Sequence, residues 1–330
     1  MKTVEWDSLN ISTSKLGFGC ASVMGRVGKK KSLYAMQMAY ELGVRHFDIA
    51  RSYGYGEAED VLGRFVKQKR DKLTITTKFG INPPKNQKIL SVVKPIARVV
   101  FEKFPALRSK ISHKTDRILP TGLFSKDNVK KSLNDSLRAL KTDYVDFFML
   151  HDCYSKDIFS DELLTLLELF IQEGKIRAWG VATDLRTIEK LLPIFEVKPK
   201  IIQYENNVWN SKEVSNIDLS NMNSILHSPF GGLEGNSTID QLCNSSPIIE
   251  WGKKENLEIS HQKLSRYILE GAISLSNNSV VLCSMFSKNH ISQNIEAVNN
   301  PDLTSAQCHE FINICNVNKK LVNFKLMEED

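Results

Sequence analysis

Short apolar runs alternate along the chain with stretches whose apolar residues recur every three or four positions. The short runs are typical of buried strands and the longer stretches of amphipathic helices. Eight runs are predicted as strands: 15–21, 44–50, 72–80, 144–151, 176–182, 200–205, 223–229 and 279–284. The predicted helices after the first six strands and the last span 32–42, 57–69, 125–142, 160–173, 185–195, 211–221 and 288–298. A helical region is predicted over 237–270 after the seventh strand, and a C-terminal helix over 303–325.

This alternation predicts parallel strands joined by right-handed crossovers. Eight units in 330 residues favour an α/β fold of the (β/α)8 TIM barrel type over an open doubly wound sheet. An open sheet would usually carry a GxGxxG turn after its first strand, whereas GFGCAS lacks the third glycine. We therefore predict one barrel domain over residues 1–330, with a long basic insert at 81–125 after the third strand.

Composition narrows the class of protein. The chain is 42% hydrophobic and 25% charged, and no apolar run approaches the roughly 20 residues that span a bilayer. The N-terminus is too polar for a signal peptide, so a cytoplasmic location is predicted. The six cysteines form no CxxC pair and the net charge of +6 is modest, which argues against a zinc site, a disulfide framework and a nucleic-acid partner.

Much of the positive charge lies in the insert at 81–125, which contains nine Lys or Arg residues and only two acidic residues, Glu102 and Asp116. Because this segment follows a strand at the expected active-site end, one hypothesis is a lid that selects anionic substrates, such as phosphorylated or nucleotide-linked sugars. A solvated basic loop and a surface for a partner are the alternatives.

Ionisable side chains stand where the predicted strands end. Asp48, Lys78 and His151 end the second, third and fourth strands, and Tyr53 lies in the turn after the second. The later strands are followed by Thr183, Asp184, Gln203, His227 and Ser228. Because the carboxyl ends of barrel strands meet at one face, these side chains are expected to lie together.

The first four residues suggest acid–base chemistry. A tyrosine is a poor acid at neutral pH unless a neighbouring cation eases loss of its proton, and Lys78 is the candidate cation. Asp48 would keep that lysine charged, and His151 would hydrogen-bond the same substrate oxygen. Such a group delivers a proton to a carbonyl oxygen as hydride reaches the carbon, or removes it in reverse. Lys78 would repel a metal ion, so no metal is expected and a metal-dependent barrel hydrolase is disfavoured.

The segments FDIARSYGYGEAEDVLG, TKFG, LHD, GKIRAWGVA and IIQYENN, in that order, resemble the aldo-keto reductase superfamily over about residues 15–300. The resemblance implies a (β/α)8 barrel that binds NADPH across its C-terminal face and transfers hydride to an aldehyde or ketone. The family's Asp, Tyr, Lys and His tetrad falls on Asp48, Tyr53, Lys78 and His151. Tyr55 lies two residues too late, which leaves it as a substrate-pocket or packing residue.

The resemblance also implies a cofactor site that departs from the family pattern. The usual Ser-Asn pair becomes Ala182 and Thr183, and His227 replaces the aromatic residue that stacks on the nicotinamide. The implied cofactor ligands are Asp48, Thr183, Gln203, His227, Ser228, Phe230, Ser284, Phe286, Lys288, His290, Gln293 and Asn294. Ser284 and His290 stand where the family has a Lys and an Arg for the 2′-phosphate, and a His is a weaker partner than a bidentate Arg. NADPH is therefore predicted, with NADH possible and a smaller preference between them than the family shows.

The leading functional prediction is an NAD(P)H-dependent oxidoreductase that acts on a small-molecule carbonyl or alcohol. A sugar-like or an anionic compound is the expected kind of substrate. The alternative is a non-catalytic NADPH-binding regulatory subunit on the same barrel, because the nicotinamide contacts are altered. A monomer or a weak homo-oligomer is expected.

Overall fold

The computed structural model describes residues 1–84, 120–154, 161–209, 211, 222–232, 235–275 and 278–317. The chain begins with an antiparallel hairpin of β1 (Thr3–Trp6) and β2 (Ile11–Ser14), which the sequence pattern did not predict. Trp6 is 1% exposed, and its ring meets Phe147 edge-on with the centroids 5.3 Å apart. Since Trp6 packs in one cluster with side chains inside the barrel, the hairpin closes one end of the barrel.

Eight parallel strands then form a closed barrel. They are β3 (Leu16–Gly19), β4 (His46–Asp48), β5 (Thr74–Phe79), β6 (Val145–His151), β7 (Ile176–Ala182), β8 (Ile201–Glu205), β9 (Asn223–His227) and β10 (Ser279–Cys283). Each lies within one predicted strand, and they follow chain order around the ring until β10 pairs with β3. The predicted TIM barrel is thus confirmed. All six residues of β5 are buried, as expected of a strand covered on both faces.

Helices surround the barrel. They are α1 (Lys29–Glu41), α2 (Ala58–Val66), α3 (Lys126–Leu140), α4 (Asp161–Gln172), α5 (Leu185–Leu191), α6 (Gly235–Cys243), α7 (Ser246–Glu255), α8 (His261–Ser274), α9 (Lys288–Asn299) and α10 (Ser305–Val317). None of the helices in the described ranges is long and apolar enough to cross a membrane.

The helical region predicted over 237–270 is divided into the three helices α6, α7 and α8. Pro247 lies in the first turn of α7. Because proline has no backbone N–H, it cannot donate the hydrogen bond that would continue a preceding helix. Asn256 ends α7 in the left-handed conformation with φ 54°. Three predicted segments lie partly outside the described residues: 212–221 of the helix predicted over 211–221, 318–325 of the C-terminal helix, and 85–119 of the insert at 81–125.

Close contacts fix the second helix against its neighbours. Glu59 of α2 is buried and accepts hydrogen bonds from Arg51 Nη1 and Thr77 Oγ1, each at 2.7 Å, which links α2 to β5. A Cβ atom on Gly63 would lie 2.2 Å from the carbonyl oxygen of Ala139. Only a glycine therefore allows α2 and α3 to approach this closely.

Candidate active site

A cavity of about 580 Å³ opens at the carboxyl ends of the barrel strands. Asp48, Tyr53, Lys78 and His151 all line it, so the fold brings together the four side chains that the strand-end pattern singled out. They come from the end of β4, the turn after it, the next-to-last residue of β5 and the end of β6. This is the face on which barrel enzymes assemble their catalytic groups.

Lys78 is the centre of this group. Its Nζ atom lies 2.6 Å from Asp48 Oδ1, 3.2 Å from the Ile49 carbonyl oxygen and 3.4 Å from Tyr53 Oη. The Lys78 and Asp48 side chains are only 2% and 4% exposed. A buried ammonium requires a counter-ion, and Asp48 on the adjacent strand supplies it.

Burial and charge compete over the pKa values of these groups. Burial disfavours the ammonium form of Lys78, but Asp48 and Tyr53 favour it more strongly, so the pKa of Lys78 lies above its ordinary value. Burial raises the pKa of Asp48, and Lys78 opposes that rise. Burial also raises the pKa of Tyr53, while Lys78 acts to lower it. Lys78 thus acts on Tyr53 in the predicted direction, yet burial outweighs it.

His151 is a neutral imidazole at this site. Burial and the charge of Lys78 lower its pKa to about 3, so its ring carries one proton across the physiological range. The ring meets that of Tyr53 edge-on, with centroids 6.1 Å apart. A neutral imidazole can donate one hydrogen bond to a substrate oxygen beside the tyrosine hydroxyl.

The turn that carries Tyr53 explains the glycines around it. Gly54 and Gly56 have φ values of 58° and 93°, and Tyr55 between them has φ 61°. A Cβ atom on Gly54 would lie 2.5 Å from the Val23 carbonyl oxygen, so the chain can pass here only with a glycine. Tyr55 is not among the residues that line the cavity, and only Tyr53 lies within reach of Lys78.

Seven of the twelve expected cofactor ligands line the same cavity. These are Thr183, Gln203, His227, Ser228, Phe230 and Ser284, in addition to Asp48. Burial lowers the pKa of His227 to about 4, and its Nδ1 atom lies 3.0 Å from Ser228 Oγ. The ring at the end of β9 is therefore neutral and partly buried.

The remaining five expected ligands lie beyond the cavity, in the segment that follows β10. Phe286 packs edge-on against Phe18 with centroids 5.1 Å apart. The next four are spread over the first turns of α9, where Lys288, His290 and Gln293 are exposed and Asn294 is half-buried. Ser287 caps this helix by accepting a hydrogen bond from the His290 N–H at 3.2 Å.

Three charged residues of the cavity were not singled out from the sequence, namely Arg26, Asp152 and Glu205. A fourth, Asp184, was noted only as a residue after a strand. Asp152 directly follows His151, and Glu205 lies two residues after Gln203 on the same strand. Reading each strand end two residues further would have found both. Among the described residues, no group of three or more His, Cys, Asp or Glu side chains is arranged to hold a metal ion.

The sequence pattern of the Aldo/keto reductase family matches residues 15–315, so the chain belongs to this family of oxidoreductases. "Aldo-keto reductase YhdN" of Bacillus subtilis is 23% identical over 61% of this chain and 54% of the relative. The "NADH-specific methylglyoxal reductase" of Escherichia coli is 26% identical over 78% of this chain and 77% of the relative. The first of these matches thus spans about half the length of the curated relative.

Solved structures agree on the fold. The crystal structure of an aldo-keto reductase from Klebsiella pneumoniae in complex with NADPH superimposes with a TM-score of 0.67, covering 96% of this chain and 95% of that one. The two sequences are 18% identical, so this likeness shows the shared barrel alone.

Proposed function

We propose that this protein reduces an aldehyde or ketone to an alcohol, or catalyses the reverse reaction, with Tyr53 as the general acid or base. The observation that carries the proposal is the buried Lys78, paired with Asp48 at 2.6 Å and 3.4 Å from the Tyr53 hydroxyl. A cation held beside a cavity-lining tyrosine by a buried ion pair can stabilise the phenolate that forms when the tyrosine transfers its proton.

The roles of the side chains follow from their charges. Tyr53 donates its proton to the carbonyl oxygen as hydride reaches the carbon, and the phenolate that forms is stabilised by the ammonium of Lys78. Asp48 keeps Lys78 protonated despite its burial. His151, which is neutral, donates a hydrogen bond to the same oxygen and holds the carbonyl near Tyr53. Burial raises the pKa of Tyr53 and keeps it protonated before the reaction, while the ammonium of Lys78 opposes that rise and eases loss of the proton.

NADPH is the proposed cofactor, with NADH as a second candidate, and it would supply the hydride when bound. The buried Gln203 is 3% exposed, and its Oε1 atom has no hydrogen-bond partner in the described part of the chain. An acceptor left unpaired at the cavity suits the amide N–H of a nicotinamide. Thr183, His227, Ser228, Phe230 and Ser284 would contact the rest of the cofactor, and the α9 residues its far end.

Substitution of Tyr53 tests the reaction, with Tyr55 as the matched control. In Tyr53→Phe we expect the rate of NADPH oxidation by an aldehyde panel to fall about 100- to 10,000-fold, the usual contribution of a general acid. Cofactor binding, followed by fluorescence titration, should survive. Tyr55→Phe should retain turnover, because that side chain lies outside the cavity.

The same assay separates an enzyme from a regulatory subunit. Absence of turnover of every aldehyde by the wild-type protein, together with tight NADPH binding, would favour the non-catalytic alternative. Turnover that persists in Tyr53→Phe would refute the proton-transfer role.

A further inference from the structure

A second cavity, of about 350 Å³, lies between α3 and the segments that follow β4 and β5. Arg51 and residues 82–84 line it together with four residues of α3, namely Asn128, Lys131, Ser132 and Asp135. None of these residues lines the active-site cavity. The second cavity is therefore a separate space, and its volume lies within the range of small-molecule sites.

The helix presents a polar face to this cavity. Its four lining residues are three or four positions apart in sequence, so they share one face of α3. Ser132 is buried, Asn128 and Asp135 are half-buried, and Lys131 is exposed. A polar face that is sheltered in this way normally packs against hydrogen-bonding partners, whereas this one borders an open space.

Ser132 is the buried member of that face. It is 5% exposed, and its Oγ atom has no hydrogen-bond partner within the described residues. A buried hydroxyl group that is left without a partner costs free energy. An oxygen atom of a ligand in the cavity would accept a hydrogen bond from Ser132 and remove that cost.

Arg51 offers further donors to the same space. Its side chain is 13% exposed, and Nη1 donates to Glu59 Oε2 at 2.7 Å. Its Nη2 atom lies 3.8 Å from Asp135 Oδ2, which is too far for a hydrogen bond. An arginine has five N–H donors, and in the described part of the chain only one of those of Arg51 is used. Glu59 also accepts from Thr77 Oγ1, so the guanidinium is held in place before any ligand binds.

The charges around the cavity favour an anion. Asp135 accepts hydrogen bonds from Lys131 Nζ at 2.7 Å and from Arg138 Nη1 at 3.1 Å. Burial acts to raise the pKa of Asp135, but the hydrogen bond from Lys131 and the charges of the three neighbouring cations lower it below its ordinary value. These three cations, Lys131, Arg51 and Arg138, outnumber the carboxylates of Asp135 and Glu59. A negatively charged ligand with several acceptor oxygens therefore suits this site.

We propose that the second cavity binds the phosphate group of a small phosphorylated compound. Arg51 holds two of the phosphate oxygens through parallel N–H donors, and Ser132 donates to the third. A phosphate presents three oxygens in different directions, whereas a carboxylate presents only two in one plane. Residues 82–84 contact the organic part of the compound. The inference is independent of the proposed reduction, because none of the residues that carry the reduction lines this cavity.

Calorimetric titration with glycerol 3-phosphate tests the site, with glycerol and glycerate as the neutral and the carboxylate reference. We expect glycerol 3-phosphate to bind about tenfold more tightly than either, because only its phosphate brings charged oxygens to both Arg51 and Ser132. Ser132→Ala should weaken this binding about tenfold, the effect of one hydrogen bond to a charged group. Ser136→Ala is the matched control and should leave the affinity unchanged. Ser136 is also buried on α3, with an Oγ atom that is unpaired among the described residues, but it does not line the cavity.

A second titration, with the protein saturated with NADPH, separates this site from the active site. An affinity that NADPH leaves unchanged is expected, because the two cavities share no lining residue. Loss of binding in the presence of NADPH would place the phosphate in the active-site cavity and overturn the inference. Equal affinities in the two serine variants would overturn it as well. So would the absence of binding, or glycerol or glycerate binding as tightly as glycerol 3-phosphate.

Discussion

Replacement of Asp48 by Asn removes the charge that balances the buried Lys78. The ammonium would keep two neutral acceptors, the Ile49 carbonyl oxygen at 3.2 Å and the Tyr53 hydroxyl at 3.4 Å, and lose the carboxylate at 2.6 Å. Breaking a buried pair in this way costs about 3–5 kcal/mol. The burial cost of the Asp48 charge disappears and two acceptors remain. We therefore expect the free energy of unfolding to fall by about 3 kcal/mol, the lower end of that range.

The loss should depend on pH in a defined direction. In the wild-type protein the pKa of Lys78 lies above its ordinary value of 10.5, so its stabilisation is fully present at neutral pH and is lost only as the pH rises beyond that value. Without Asp48, burial becomes the dominant influence and lowers the pKa of Lys78. A lowered lysine pKa penalises the folded state at neutral pH, and the penalty shrinks as the pH approaches 10.5.

Urea unfolding followed by tryptophan fluorescence measures this difference near neutral pH and at about pH 10, close to the ordinary lysine pKa. The gap between wild type and Asp48→Asn should be widest at neutral pH and should narrow at the higher pH. Asp71→Asn controls for the loss of an exposed carboxylate and should show no gap at either pH. A variant as stable as wild type, or a gap that does not change with pH, would refute the argument from an uncompensated buried charge.

Two further perturbations address packing and cofactor choice. Gly63→Ala would place a Cβ atom 2.2 Å from the Ala139 carbonyl oxygen, and we expect thermal unfolding to show a destabilisation of about 1–3 kcal/mol. Gly25→Ala is the control, because the nearest atom to its added Cβ would be 3.8 Å away and stability should not change. Equal melting temperatures of the two variants would contradict this expectation. Replacing both Lys288 and His290 by Ala should weaken NADPH binding and spare NADH in titrations, and a large NADPH preference that survives the double change would defeat the assignment.

The barrel was readable from the sequence because its evidence is local. Each of the strands β3 to β10 is a short apolar run followed by a helix pattern. Such runs are typical of parallel strands, because these strands are buried on both faces. The hairpin β1–β2 was not predicted because its two antiparallel strands precede the strand–helix alternation from which the barrel was read. The helical region predicted over 237–270 is helical, and Pro247 and Asn256 explain why it is divided into separate helices.

For the site, the sequence by itself determined the residue types and their strand-end positions: Asp48, Lys78 and His151 could be named because parallel strands bring their carboxyl ends to one face. The family resemblance already favoured Tyr53 over Tyr55, and the tertiary structure supplies the distance: Tyr53 Oη lies 3.4 Å from Lys78 Nζ, whereas Tyr55 lies outside the cavity. The tertiary structure also brought Asp152 and Glu205 to the same cavity, because the register of neighbouring strands places their strand ends together. Types and positions follow from local sequence, whereas distances, burial and the resulting pKa values depend on contacts between residues far apart in the chain.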